Sequence, residues 1–261
     1  MKIRTNGIEI NYSVEGSGPW VVMSHSVACN LRMWDPQAAL LAKSCTVLRY
    51  DTRGHGESSA PEGEYTLEAL ADDLKGMLDG LGVKTCRFIG LSMGGMIGQT
   101  FALRYPGVFS AMVLADTCGR YSSDVWPMWE ARIKTAREKG MEPLVEPTLS
   151  RWFTEPFRAS RRDATDRIAA MIRSTPVPGF VGCCYAIPRI NLTHRLKEVA
   201  CPTLVVLGDQ DQATPLEAAR EIQAAIPGSQ LVTIPQAAHL SNVEQPEAFN
   251  AALTSFFAKL P

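Results

Sequence analysis

Apolar positions along the chain form two kinds of run, and their alternation predicts an α/β sheet. Residues 2–5 and 8–14 alternate apolar with polar and flank Asn6-Gly7, a dipeptide suited to the positive φ of a hairpin turn, so the chain opens with antiparallel strands. Of the later runs 20–23, 46–50, 85–90, 111–115, 203–208 and 230–234, several are apolar almost throughout, as strands covered on both faces are. Between them lie segments with helical spacing. Leu67, Leu70, Leu74, Met77, Leu78 and Leu81 share one face, and Gly82 follows as a stop signal. Strand followed by helix followed by strand predicts a mostly parallel, eight-stranded sheet with helices on both faces, joined by right-handed crossovers.

The rhythm breaks between Thr117 and Leu196. No strand pattern occurs there, and Trp126, Trp129, Trp152, Phe153 and Phe157 gather among helix-like stretches and prolines. A helical lid over residues 118–195, with a core made of 1–117 and 196–261, is the expected organisation, because open α/β sheets bind ligands at the C-terminal ends of their strands.

Composition narrows the class. The 261 residues are 46% hydrophobic and 20% charged, which suits a globular protein rather than a disordered or membrane one. Lys plus Arg total 26 and Asp plus Glu 27, so there is no global field to attract nucleic acid or an anionic membrane. Seven scattered cysteines offer neither a disulfide framework nor zinc-type pairs. The first residues, Met1 to Asn6, lack an apolar leader pattern, and the expected location is the cytoplasm.

The chemistry concentrates after three of the strand-like runs. Gly90-Leu91-Ser92-Met93-Gly94-Gly95 lies between an apolar run and a helix-like segment. Small residues two before and two after a serine are what a sharp strand-to-helix elbow requires, and Ser92 is the candidate nucleophile. A serine hydroxyl needs a base, and of the four histidines His239 follows the final strand, where the base of this chain order is expected. Asp209 and Asp211 both follow the run 203–208, and either could orient the imidazole; Asp211 is the choice. The Met93 amide and an amide of the loop Ser24-His25-Ser26-Val27-Ala28, with Val27 as candidate, should hold an oxyanion. His25 and the turn Asp51-Thr52-Arg53-Gly54-His55-Gly56 are read as structural hydrogen-bonding elements. Nothing resembles a metal or phosphate site, and no cofactor is expected.

The elbow, together with Met33-Trp34-Asp35-Pro36-Gln37, Arg49-Tyr50-Asp51-Thr52-Arg53-Gly54-His55-Gly56 and His239-Leu240-Ser241-Asn242-Val243-Glu244, resembles the 3-oxoadipate enol-lactonase branch of the α/β-hydrolases over nearly the whole chain. The resemblance implies an α/β-hydrolase fold, Ser92, Asp211 and His239 as the triad, a small ester or lactone substrate, a place in aromatic catabolism, and substrate contacts at Trp129, Arg132 and Trp152. Arg132 would meet a substrate carboxylate. One departure is plain: the lactonase loop Ser-Asn-Ser-Leu-Gly is here Ser24-His25-Ser26-Val27-Ala28, which leaves the exact substrate open. A broader carboxylesterase, a lactamase or a cofactor-free perhydrolase would use the same triad, and a slow-turnover small-ligand receptor could keep the same fold.

Overall fold

The computed structural model describes residues 1–260. Eight strands form one sheet: β1 (Lys2–Thr5), β2 (Ile8–Gly16), β3 (Trp20–Ser24), β4 (Thr46–Tyr50), β5 (Cys86–Leu91), β6 (Phe109–Ala115), β7 (Thr203–Gly208) and β8 (Gln230–Ile234). Their order is β1-β2-β4-β3-β5-β6-β7-β8. β1 pairs with β2 and β2 with β4 antiparallel, and every later pairing is parallel. At the predicted hairpin, Asn6 and Gly7 take φ of 46° and 76°. The expected strands are all found, with boundaries shifted by a residue or two: 85–90 becomes Cys86–Leu91, and 8–14 runs on to Gly16.

The helices are α1 (Asp35–Leu41), α2 (Leu67–Gly80), α3 (Met93–Arg104), α4 (Trp126–Lys139), α5 (Val145–Trp152), α6 (Glu155–Ser160), α7 (Arg162–Ser174), α8 (Val177–Ala186), α9 (Leu216–Ala225), α10 (Ser241–Glu244) and α11 (Pro246–Phe257). In α2 the buried residues Leu67, Leu70, Ala71, Leu74, Met77 and Leu78 make one stripe. The Thr66 hydroxyl accepts the Ala69 amide at 3.1 Å to start the helix, and Gly82 at φ 71° follows its end. Helices α4 to α8 all fall between β6 and β7, where the strand pattern lapses.

Because β3 pairs with both β4 and β5, the chain reverses its direction of travel across the sheet at β3. The C-terminal ends of β3 and β5 therefore flank a topological switch point, the position at which such sheets open a crevice. Ser24 ends β3, and Leu91 ends β5 immediately before Ser92. All seven cysteines are free; Cys201 is half-buried and the others are buried. Among the described residues no helix is long and apolar enough to cross a membrane.

Candidate active site

Ser92 joins β5 to α3 with φ 54° and ψ −116°, a left-handed conformation costly for a residue with a Cβ. Its neighbours show what the turn demands: a Cβ on Gly90 would collide with the Gly94 carbonyl, and one on Gly94 with the Ser24 carbonyl. The Ser92 amide donates to the Ala115 carbonyl at 2.9 Å, and the Thr117 hydroxyl donates to the Ser92 carbonyl at 2.8 Å. Held from both sides, the strained residue presents its Oγ 2.9 Å from His239 Nε2.

His239 Nδ1 lies 2.8 Å from Asp211 Oδ2. That oxygen also accepts the Thr214 hydroxyl at 2.7 Å, while Oδ1 accepts the amides of Ala213 and Thr214 at 2.7 and 3.0 Å. Burial alone would push the Asp211 carboxyl up, but the adjacent imidazole and these donors hold it below the ordinary carboxylate value. Asp209, the other candidate, is exposed and accepts the Ala237 amide at 3.3 Å. Of the two aspartates, Asp211 is the one that meets the imidazole.

Val27 lines the cleft that contains Ser92 and His239, and Met93 opens α3 directly after the serine. Among the described residues neither backbone amide donates to another group of the chain. The loop carrying Val27 is braced by two buried histidines. His25 Nε2 accepts the Thr52 amide at 3.0 Å and His55 Nε2 accepts the Ala28 amide at 2.9 Å, while their Nδ1 atoms face the carbonyls of Ser26 and Arg53 at 2.7 and 3.2 Å. These partners require neutral rings protonated on Nδ1, and burial pushes His25 down to about 4 and His55 to about 3. The Asp51 turn supports the same loop: its Oδ1 accepts the Leu31 amide at 2.8 Å and its Oδ2 the Glu57 amide at 2.9 Å.

Trp129, Arg132 and Trp152 all line the cleft with Ser92 and His239. The Trp152 ring sits 6.1 Å from the imidazole, and the buried Trp129 Nε1 has no hydrogen-bond partner. The Arg132 guanidinium lies 5.0 Å from the Trp129 ring and 5.5 Å from that of Phe180, half-buried rather than solvated. Sequence reasoning gave no role to Arg151, which lines the same cleft beside Met128 Sδ at 2.9 Å. No carboxylate lies within 4 Å of either arginine among the described residues. Burial, with Arg151 adding repulsion, lowers the Arg132 pKa from its ordinary value, yet a guanidinium stays charged. The usable sign of Arg151 was its position next to Trp152.

Two further carboxyls escaped notice. Asp116, straight after β6 with φ 44°, accepts the Gly208 amide at 2.8 Å and the Ser241 hydroxyl at 2.6 Å. Burial, followed by the nearby Asp211 charge, pushes its carboxyl well up. Glu244 lies five residues past the histidine in the motif already singled out, and is 4% exposed.

Free volume in the cleft is only about 30 Å³. A wider groove of about 450 Å³ opens between α1 and α7, lined by residues such as Met33, Ile168 and Met171, but holds none of the triad. Chemistry rather than size therefore marks the site. No cluster of three or more potential metal ligands occurs among the described residues.

A fold of this topology with a serine at a strained strand-to-helix elbow defines the class, and residues 19–246 match the family model described as alpha/beta hydrolase fold; the chain belongs to that family. It lies on the 3-oxoadipate enol-lactonase-like branch and is an ester-cleaving hydrolase. It is 33% identical over 94% of its length, and 92% of the relative's, to 3-oxoadipate enol-lactonase 2 of Acinetobacter baylyi. Among solved structures it is similar to the enol-lactonase from Burkholderia xenovorans, with 35% identity, TM-score 0.95 and coverage of 99% and 100% of the two chains. It is also similar to a malate-bound thermophilic esterase from Thermogutta terrifontis, with 31% identity, TM-score 0.94 and coverage of 100% and 98%.

Proposed function

We propose that the protein hydrolyses a carboxylate-bearing lactone, of the 3-oxoadipate enol-lactone kind, through an acyl-enzyme on Ser92. His239 takes the Ser92 proton as Oγ attacks the lactone carbonyl, and Asp211 steadies the resulting imidazolium. The amides of Val27 and Met93 receive the developing oxyanion. His239 then returns the proton to the departing enolate oxygen and activates the water that frees Ser92. No cofactor takes part. The helices of residues 118–195 act as the lid, with Trp129 and Trp152 packing on the acyl portion and Arg132, joined by Arg151, meeting the carboxylate. Seven free cysteines suit a reducing cytoplasm.

The observation that carries this reading is the hydrogen-bonded relay of 2.8 and 2.9 Å from Asp211 through His239 to Ser92, ending in a cleft with two arginines and no carboxylate partner. A half-buried cation without a counter-ion carries a desolvation cost, and an anionic substrate would relieve it. The test is a panel of enol-lactones and short aryl esters, with Ser92→Ala run in parallel. Ser92→Ala should lose about 10⁴-fold or more in kcat. Arg132→Ala and Arg151→Ala should each raise KM about ten-fold for the carboxylate-bearing lactone and leave a neutral ester nearly unchanged. Equal effects on both substrates would remove the arginines from the site. The likeness to the Thermogutta esterase supports a second reading, a broader carboxylesterase, which a ranking of kcat/KM favouring neutral esters would select.

A further inference from the structure

The segment that carries His239 is hydrogen-bonded to the helical insertion directly after the histidine, and through the Glu244 carboxylate ahead of it. Ahead of it, the Ala238 amide donates to Glu244 Oε2 at 2.9 Å. After it, the Leu240 amide donates to the Trp152 carbonyl at 3.2 Å. Glu244 closes the loop, because its Oε1 accepts the Thr154 amide at 3.1 Å and the Thr154 hydroxyl at short range. Thr154 caps α6 and stands two residues after Trp152 and three after Arg151, both of which line the cleft. On the opposite side, Asp116 ties Ser241 to Gly208 of β7. The histidine segment is therefore pinned to the sheet by one buried carboxyl and to the insertion by another.

Among the described residues Glu244 has no cation within 4 Å, so three donors alone offset its burial, and burial raises its pKa above the ordinary value. Two of those donors belong to the insertion. Withdrawing the helices would strip the carboxylate of both while leaving Ala238 attached, an arrangement that favours full closure over partial opening. Only about 30 Å³ is free in the cleft, so a lactone must enter while the helices are apart, and closure must follow before reaction.

Resting on the hydrolase reading above, we propose that Glu244 is a positioning residue that couples closure of the insertion to the placement of His239. When Trp152 and Thr154 dock, the carboxylate draws Ala238 into line and the imidazole meets Ser92; when they leave, the segment loses its hold on that side. A glutamine cannot replace it. The amide has one acceptor oxygen, and its NH₂ would face the N–H of Ala238 or of Thr154.

The experiment compares Glu244→Gln, Thr154→Val and Thr154→Ser in the full chain. It measures kcat and KM for a carboxylate-bearing lactone and for p-nitrophenyl acetate, with amide hydrogen exchange at Ala238 and Thr154. Glu244→Gln should lower kcat on both substrates by about ten-fold, and the two amides should exchange faster together. Thr154→Val, which removes one of the three donors, should lower kcat on both substrates about five-fold, and Thr154→Ser should restore the parent kcat. Unchanged kcat in a folded Glu244→Gln would overturn the coupling, as would acceleration of one amide without the other. Should Glu244→Gln fail to fold, an unchanged kcat in Thr154→Val overturns it. Activity surviving in Ser92→Ala, or none in the parent protein, would instead remove the hydrolase reading, while the linked exchange still reports on Glu244 because it needs no turnover.

Discussion

Ala28 occupies φ 58°, in the left-handed region that favours glycine, at the position where the lactonase loop has glycine. Left-handed backbone costs an alanine about 1–2 kcal/mol. Against that, glycine would lose about 0.4–1 kcal/mol through the freer unfolded chain and about 0.8 kcal/mol of buried methyl, since Ala28 is 1% exposed. The terms nearly cancel, so Ala28→Gly should change unfolding free energy by less than about 1 kcal/mol. The same replacement at Ala71, buried in the middle of α2, gains no strain relief and should cost about 2 kcal/mol. Urea titration of both variants tests the account; equal losses would mean that Ala28 carries no strain. At this scale the sequence was informative wherever chemistry demands a residue type, as at Ser92 and His239. It was silent where a common side chain does unusual work: an alanine with positive φ carries no mark, and the aspartate that meets the imidazole differs from its exposed neighbour Asp209 only in where the loop turns.

Among the elements, the brace behind the loop that follows β3 should set an acid limit on stability. His25 and His55 accept backbone amides through Nε2 and are held neutral down to about 4 and about 3. An unfolded histidine titrates near 6.5, so below that value the unfolded chain binds protons that the folded chain refuses. The contribution is fully present above about pH 6.5 and is lost as pH falls toward 4, on the order of 3 kcal/mol from His25 alone. The urea midpoint should fall steeply between pH 6.5 and 4.5, and His25→Gln should flatten that slope even if it lowers stability throughout. An undiminished slope would exclude His25 as its source. Elements were legible because hydrophobic period is a local signal: β2 to β7 and α2 announce themselves, with ends that slip by a residue or two because hydrogen bonding, not polarity, decides where a strand stops. The insertion was legible mainly by the absence of strand pattern, and its bonds to the histidine segment span about ninety residues, beyond any periodicity.

Over the whole molecule, the narrow free space above Ser92 makes size a kinetic variable. In a series of p-nitrophenyl esters, slowing by added viscogen should be weakest for acetate and should grow with acyl length. Octanoate should be slowed most, because on the proposed reading the helices of residues 118–195 open widest to admit it. Parallel behaviour along the series would mean that no such movement limits acylation. The distribution of thiols offers an independent test of whether the two parts separate. Burial pushes the Cys29, Cys86, Cys118, Cys183 and Cys184 thiols up, so in the native state they are poor targets for alkylation. Cys183 and Cys184 sit in α8, whereas Cys29 and Cys86 sit in the loop after β3 and in β5. Mass-resolved iodoacetamide labelling in mild urea thus acts as a positional clock. Simultaneous uptake at both pairs would mean that sheet and helices melt as one cooperative unit, and earlier uptake at the α8 pair would mean that the helices can detach while the sheet stays intact.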